Sequence, residues 1–213
     1  MDKAIYKYLF MRPFLRQLER RSFFTKLTGT TLRILAAMVI LASLAVFFQA
    51  GKLIFNLPAN GILGGILYQL FYILAIYAVV HTMLIRAADI EALRDDRVFM
   101  LPLIAILVRM AGEIYAAYSA LTAIGGGIFV WFTGRGISKI LSPMPLFFRT
   151  SKKPDFMGGI ELMLSGVLLA IGAIIVSYAL SEILAALIRS DNVRPVMNGP
   201  RQLGDQRTRS RFG

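Results

Sequence analysis

Apolar residues in this chain come in long unbroken blocks, without the polar interruptions of a core that folds in water. The blocks are ILAAMVILASLAVFFQAGKLIF at 34–55, ILGGILYQLFYILAIYAVVHTMLI at 62–85, a run from 99 to 132, and IELMLSGVLLAIGAIIVSYALSEILAALI at 160–188. A transmembrane helix needs about 20 mostly apolar residues. Each block meets that length, so the pattern predicts an all-α integral membrane protein, a four-helix transmembrane bundle over 34–188. The triplet Ser43-Leu44-Ala45 resembles a signal-peptidase site, but it lies in the middle of the first block, behind a long N-terminal segment. The first block is therefore expected to be a retained span.

The third block is too long for one crossing. At 1.5 Å per residue it would reach about 50 Å, against a hydrocarbon thickness of about 30 Å. A broken or extended third helix is expected. Gly125, Gly126 and Gly127 form the candidate hinge, because three consecutive glycines weaken a helix. The span is then 101–123, with Pro102 tolerated in its first turn and Trp131 near the headgroups. A second register, 110–132, would bring Arg109 to the interface but leaves VFMLPLIAILV without a role.

Between and beyond the blocks the character changes. Residues 1–33 mix Lys3, Lys7, Arg12, Arg16, Arg20, Arg21, Lys26 and Arg33 with Tyr6, Leu9, Phe10, Phe14, Leu15, Leu18, Phe23 and Phe24, and Pro13 interrupts them. This reads as a basic amphipathic cytoplasmic arm, either lying on an anionic membrane surface or solvated and setting topology. The first connection, 56–61, is short. The second, RAADIEALRDDR, carries both signs of charge, which can pair at helical spacing. It reads as a solvated helix turn or a docking surface. The third, 134–159, holds Arg135, Lys139, Arg149, Lys152 and Lys153 around Pro143 and Pro145. Residues 189–213, rich in Gly, Pro, Asn, Gln and Arg, read as a tail that is disordered when alone.

Composition narrows the setting. The 213 residues are 57% hydrophobic, above the 45–50% or so of soluble domains, with a mean hydropathy of +0.65. The net charge is +12. On a soluble chain that would suggest nucleic acid. Here the basic residues concentrate at segment ends, as expected for cytoplasmic flanks and contacts with anionic lipid, and no nucleic-acid partner is expected. Lys and Arg are densest in the arm, the second connection and the tail. The expected topology is therefore N-in and C-in, in a bacterial inner membrane. The basic residues of the third connection run against that rule and suit contact with a partner or with headgroups.

The charges inside the third block are its main candidate site. Arg109 and Glu113 lie four residues apart and share a helix face. A lone charge at bilayer depth costs at least a few kcal/mol. By rise per residue, Arg109 lies about 12 Å from the inner end of its span and Glu182 about 10 Å from the inner end of the fourth, with His81 slightly shallower. The expected cluster is Arg109, Glu113, Glu182 and His81, with Arg109 paired to Glu182. Three roles compete: Arg109 snorkels to the interface, the cluster locks helices together, or it titrates during transport. In the fourth span Gly166, Ala170, Ala173, Ser177 and Ser181 form a small-residue face that permits close helix approach, with internal packing the expected use.

Chemistry is scarce. The chain has no Cys and one His, which excludes disulfides, thiolate sites and multi-histidine metal centres. No HExxH, GxSxG or phosphate loop occurs, and no cofactor or metal site is expected. The sequence points to a non-catalytic membrane subunit of a larger envelope complex, bound to other subunits or to itself. The alternative is a small oligomeric ion- or proton-coupled transporter or channel using Arg109, Glu113 and Glu182.

Overall fold

The computed structural model describes residues 21–93, 100–135 and 155–193. Within them the chain forms four long helices: α1 (Arg21–Ile54), α2 (Ala59–Glu91), α3 (Met100–Thr133) and α4 (Phe156–Val193). Each contains a stretch of 31 to 33 residues long and apolar enough to cross a membrane. Such stretches are about 47–50 Å long, so every helix runs beyond a hydrocarbon core of about 30 Å.

The helices extend past the apolar blocks. α1 begins at Arg21, so the end of the basic arm is helix continuous with the first apolar block; residues 1–20 lie outside the described set. α2 continues through Arg86, Asp89 and Glu91, taking in the first half of the charged second connection. Arg94, Asp95, Asp96 and Arg97 lie outside the described residues, as do Pro143, Pro145 and the tail from residue 194. Asp155 starts α4 as an N-cap: its carboxylate accepts from the Gly158 N–H at 2.7 Å, satisfying a donor that has no partner within the helix.

The third helix is extended and not broken. α3 runs without interruption through Gly125, Gly126 and Gly127, all three buried. The expectation of a hinge there is corrected by packing. A Cβ on Gly125 would stand 2.7 Å from the Phe71 Cβ, and one on Gly127 would stand 2.6 Å from the Gly159 carbonyl oxygen. These glycines let α2 and α4 approach the α3 backbone, and that contact outweighs their low helix propensity. The helix stops at Gly134. Its φ of 58° is left-handed, and its N–H returns to the Val130 carbonyl at 2.9 Å, as at an αL helix end.

The arrangement also departs from a closed bundle. Among the described residues α1 packs on α2, α2 on α3, and α3 on α4, and no other pair of helices is in contact. The four stand in an open row, each antiparallel to the next, as Arg33–Glu91, Arg86–Glu113 and Trp131–Phe156 contacts require. In water an open row would leave too much apolar surface exposed. In hydrocarbon such a surface would be solvated, and nothing would drive the ends of the row to close. The outer helices show it: Ile34, Met38, Leu41 and Phe48 of α1, and Leu164, Leu168, Ile171 and Ile175 of α4, are all exposed. Two buried clusters hold the row together. One gathers Ile54, Tyr68, Tyr72, Phe129 and Leu162 near the α1–α2 connection. The other gathers Leu32, Val79, Met83, Ile90 and Leu103 toward the opposite end, beside the polar site.

Candidate functional site

The polar site occupies the end of the row where α1 and α3 begin and α2 and α4 finish. Its centre is Glu113, in the fourth turn of α3. Counted from Leu101 it lies about 18 Å along the helix, well inside the apolar stretch. Both its oxygens are occupied. The Arg86 guanidinium of α2 meets it as a fork, Nε donating to Oε2 at 3.0 Å and Nη2 donating to Oε1. The Tyr178 hydroxyl of α4 donates to Oε1 at 2.7 Å. The third guanidinium nitrogen, Nη1, donates to Asp89 Oδ2 at 2.8 Å, one turn along α2. The Arg86 and Glu113 side chains are 21% and 20% exposed, enough burial for a bidentate pair to hold its geometry.

Arg86 is the residue that sequence reasoning missed. It sits about 7.5 Å from the end of α2 and reaches inward along the interface. The signal is present: an Arg–Asp pair at i,i+3 continues the helical phase of the second block. Reading that segment as a solvated connection removes it from the count of charges at matched depth.

The expected four residues come together only in part. Arg109 and Glu113 share Tyr178, which bonds the carboxylate and lies under the guanidinium, and Arg109 and Glu182 line one groove. No ion pair joins the set among the described residues: Arg109 pairs with neither Glu113 nor Glu182. Its Nε donates to Ser181 Oγ, and its guanidinium carbon stands 5.2 Å over the Tyr178 ring, a cation–π contact. Glu182 is exposed. Matched depth is correct arithmetic, but depth is only one coordinate. Successive residues turn by about 100° around a helix, so when Ser181 faces α3 its neighbour Glu182 points elsewhere. His81 is also exposed, and it stacks on Tyr77 of its own helix with ring centroids 5.6 Å apart.

The small-residue face of α4 packs against α3. Gly166 lies against Ala123 and the Ser119 carbonyl, Ser177 lies against Gly112, and Gly112 also approaches the Ala173 carbonyl. Ala170 is buried. The matching stripe on α3 is Gly112, Ala116, Ser119, Ala123 and Gly127, spaced by three or four residues. It is legible as a helix-packing pattern once the glycine run is read as helix. Hydroxyls along the interface bond back to their own helix, Ser177 to the Ile174 carbonyl at 3.0 Å and Thr122 to the Tyr118 carbonyl at 2.6 Å, so neither is left unsatisfied in apolar surroundings.

Each interface in the row therefore carries polar ties at the same end. Arg33 and Glu91 join α1 to α2 at 2.7 Å, with the Glu91 side chain lying over Gly29. Arg86 and Glu113 join α2 to α3. Tyr178–Glu113 and Arg109–Ser181 join α3 to α4. The opposite end is aromatic: Trp131 stacks on Phe156 at 5.0 Å and donates to its carbonyl at 2.9 Å, a residue pairing suited to the headgroup layer. What the polar end can do chemically is hold helices in register and present charge at one end of the row. Comparison with protein-family models, curated proteins and solved structures finds no match.

Proposed function

We propose that the chain is a non-catalytic integral membrane subunit that assembles into a larger envelope complex, with other subunits or further copies of itself as partners. The observation that supports this reading is the open row. α1 and α4 each meet a single neighbour among the described residues, and each keeps a whole apolar face exposed. Further transmembrane helices can extend such a row at either edge without rearranging it. The ionisable residues within the spans favour the same reading. A transport path would need Arg109, Glu113 and Glu182 along one route, whereas both oxygens of Glu113 are engaged in ties between helices.

The setting is a bacterial inner membrane with both ends of the chain in the cytoplasm. Four antiparallel helices bring the start of α1 and the end of α4 to one side, and Lys26, Arg33 and Arg86 lie toward it, in keeping with the positive-inside rule. The basic arm and tail then contact anionic lipid. Because the chain has no Cys, single cysteines at Ser151 and Ser190 report orientation cleanly. An impermeant thiol reagent applied to intact cells, with any outer barrier permeabilised, is expected to label position 151 and spare 190. The reverse pattern would invert the topology.

Assembly is tested by extracting the chain in native lipid discs, where it is expected to co-purify with partner subunits in fixed ratio. Purified chain in liposomes is expected to dissipate no ion or proton gradient. Flux by the purified chain that disappears in a folded Glu113→Gln variant would replace this reading with the transporter.

A further inference from the structure

Arg109 is tied to α4 through a neutral hydroxyl, and its charge meets no carboxylate among the described residues. Arg109 and Glu182 both line an open groove of about 800 Å³, together with Ala179, Ile183, Ala185 and Ala186, yet they form no ion pair with each other. Ser181 and the Tyr178 ring hold Arg109 from the α4 side. Its two terminal nitrogens have no partner among the described residues, and neither does the Glu182 carboxylate. Two unmatched charges of opposite sign in one groove call for a ligand that carries both.

Depth says what kind of ligand reaches them. The apolar stretch of α3 runs over 33 residues, about 50 Å, which leaves about 10 Å of helix beyond the hydrocarbon at each end of a centred span. Arg109 lies about 12 Å from the start of that stretch and Glu182 about 7.5 Å from the end of its own at Leu187. Both stand at the boundary where phospholipid headgroups begin. The rest of the wall is mostly alanine, which leaves room for a headgroup and offers it no competing donor.

We propose that this groove is a binding site for an aminophospholipid headgroup of the phosphoethanolamine class, with the phosphate on the Arg109 guanidinium and the primary ammonium on the Glu182 carboxylate. In that headgroup a phosphate ester and an ammonium are separated by two methylenes, so one molecule presents both charges side by side. A purely anionic headgroup satisfies Arg109 and leaves Glu182 facing like charge. A trimethylated choline has no N–H to donate to the carboxylate. The site rests on the membrane-spanning part of the function proposed above and not on assembly. Release of the chain from membranes by carbonate would sink that part separately.

The test uses the full chain, stripped of lipid in detergent and offered equimolar phosphatidylethanolamine, phosphatidylglycerol and phosphatidylcholine, with retained lipid counted by native mass spectrometry. Wild type is expected to retain the ethanolamine lipid about fivefold over each of the others, the ratio that one interfacial ion pair supports. Glu182→Gln, at an exposed position, is expected to lose the preference over phosphatidylglycerol. Arg109→Gln removes the phosphate contact common to all three lipids and is expected to lower retention of each. Equal retention of all three lipids by wild type overturns the proposal, as does a preference for phosphatidylglycerol or a preference unchanged in Glu182→Gln. The wild-type headgroup series decides the matter even where Arg109→Gln does not fold.

Discussion

Arg86→Leu is expected to destabilise the folded protein by about 3–4 kcal/mol, more than Glu113→Leu does, although the two residues form one pair. The asymmetry follows from which charge is stranded. Without Arg86, Glu113 keeps the Tyr178 hydroxyl as its one hydrogen-bond donor among the described residues, with the Arg109 charge nearby but bonded to Ser181. Its side chain is short, and it lies deep within an apolar stretch, so it cannot reach water. Without Glu113, Arg86 still has Asp89, and its long side chain can turn toward the headgroups. Glu113→Leu is therefore expected to cost about 2 kcal/mol, below the usual range for breaking a buried pair. The double replacement should recover part of the sum, because neither partner is left behind. Tyr178→Phe removes one hydrogen bond to a carboxylate and is expected to cost about 1–2 kcal/mol. The measurement is a double-mutant cycle on reversible unfolding in detergent or bilayers. A coupling energy near zero, or a larger loss from Glu113→Leu than from Arg86→Leu, would show that the fork does not hold these helices together.

Gly112→Leu is expected to separate α3 from α4 at a cost of about 3 kcal/mol, the upper end of overpacking penalties. A Cβ at Gly112 would run into Ser177 and stand 3.1 Å from the Ala173 carbonyl oxygen. Neither can yield locally. Ser177 is short, buried and bonded to its own helix, and the Ala173 carbonyl is backbone. Relief requires moving one helix against the other, which would also pull Tyr178 from Glu113. Gly172 supplies the control. It is a helical glycine of α4 with nothing within 4 Å of where its Cβ would be, so Gly172→Ala is expected to be neutral or to gain up to about 1 kcal/mol from helix propensity. Thermal unfolding of the two variants in one detergent compares them directly. Similar losses at both positions would mean that the close approach at Gly112 does not stabilise the pair.

The four long apolar helices, their order and the small-residue face of α4 follow from the sequence alone. Whether a segment can cross hydrocarbon depends on its own length and polarity, properties that add up residue by residue. Depth along a helix behaves the same way, and so the level shared by Arg109 and Glu182 can be counted along the chain. Which groups meet at that level cannot. That depends on how far each helix is rotated about its axis, and the rotation is set by packing: Gly112 against Ser177, Gly166 against Ala123, Gly125 against Phe71. Those contacts turn Ser181 toward Arg109 and Glu182 into the groove, and they bring Arg86 to Glu113. They also keep α3 helical through three glycines that, on propensity alone, would break it. The open row is the last feature that only tertiary structure decided. Apolar faces look alike in sequence whether they meet lipid or another helix, because hydrocarbon solvates either face equally well.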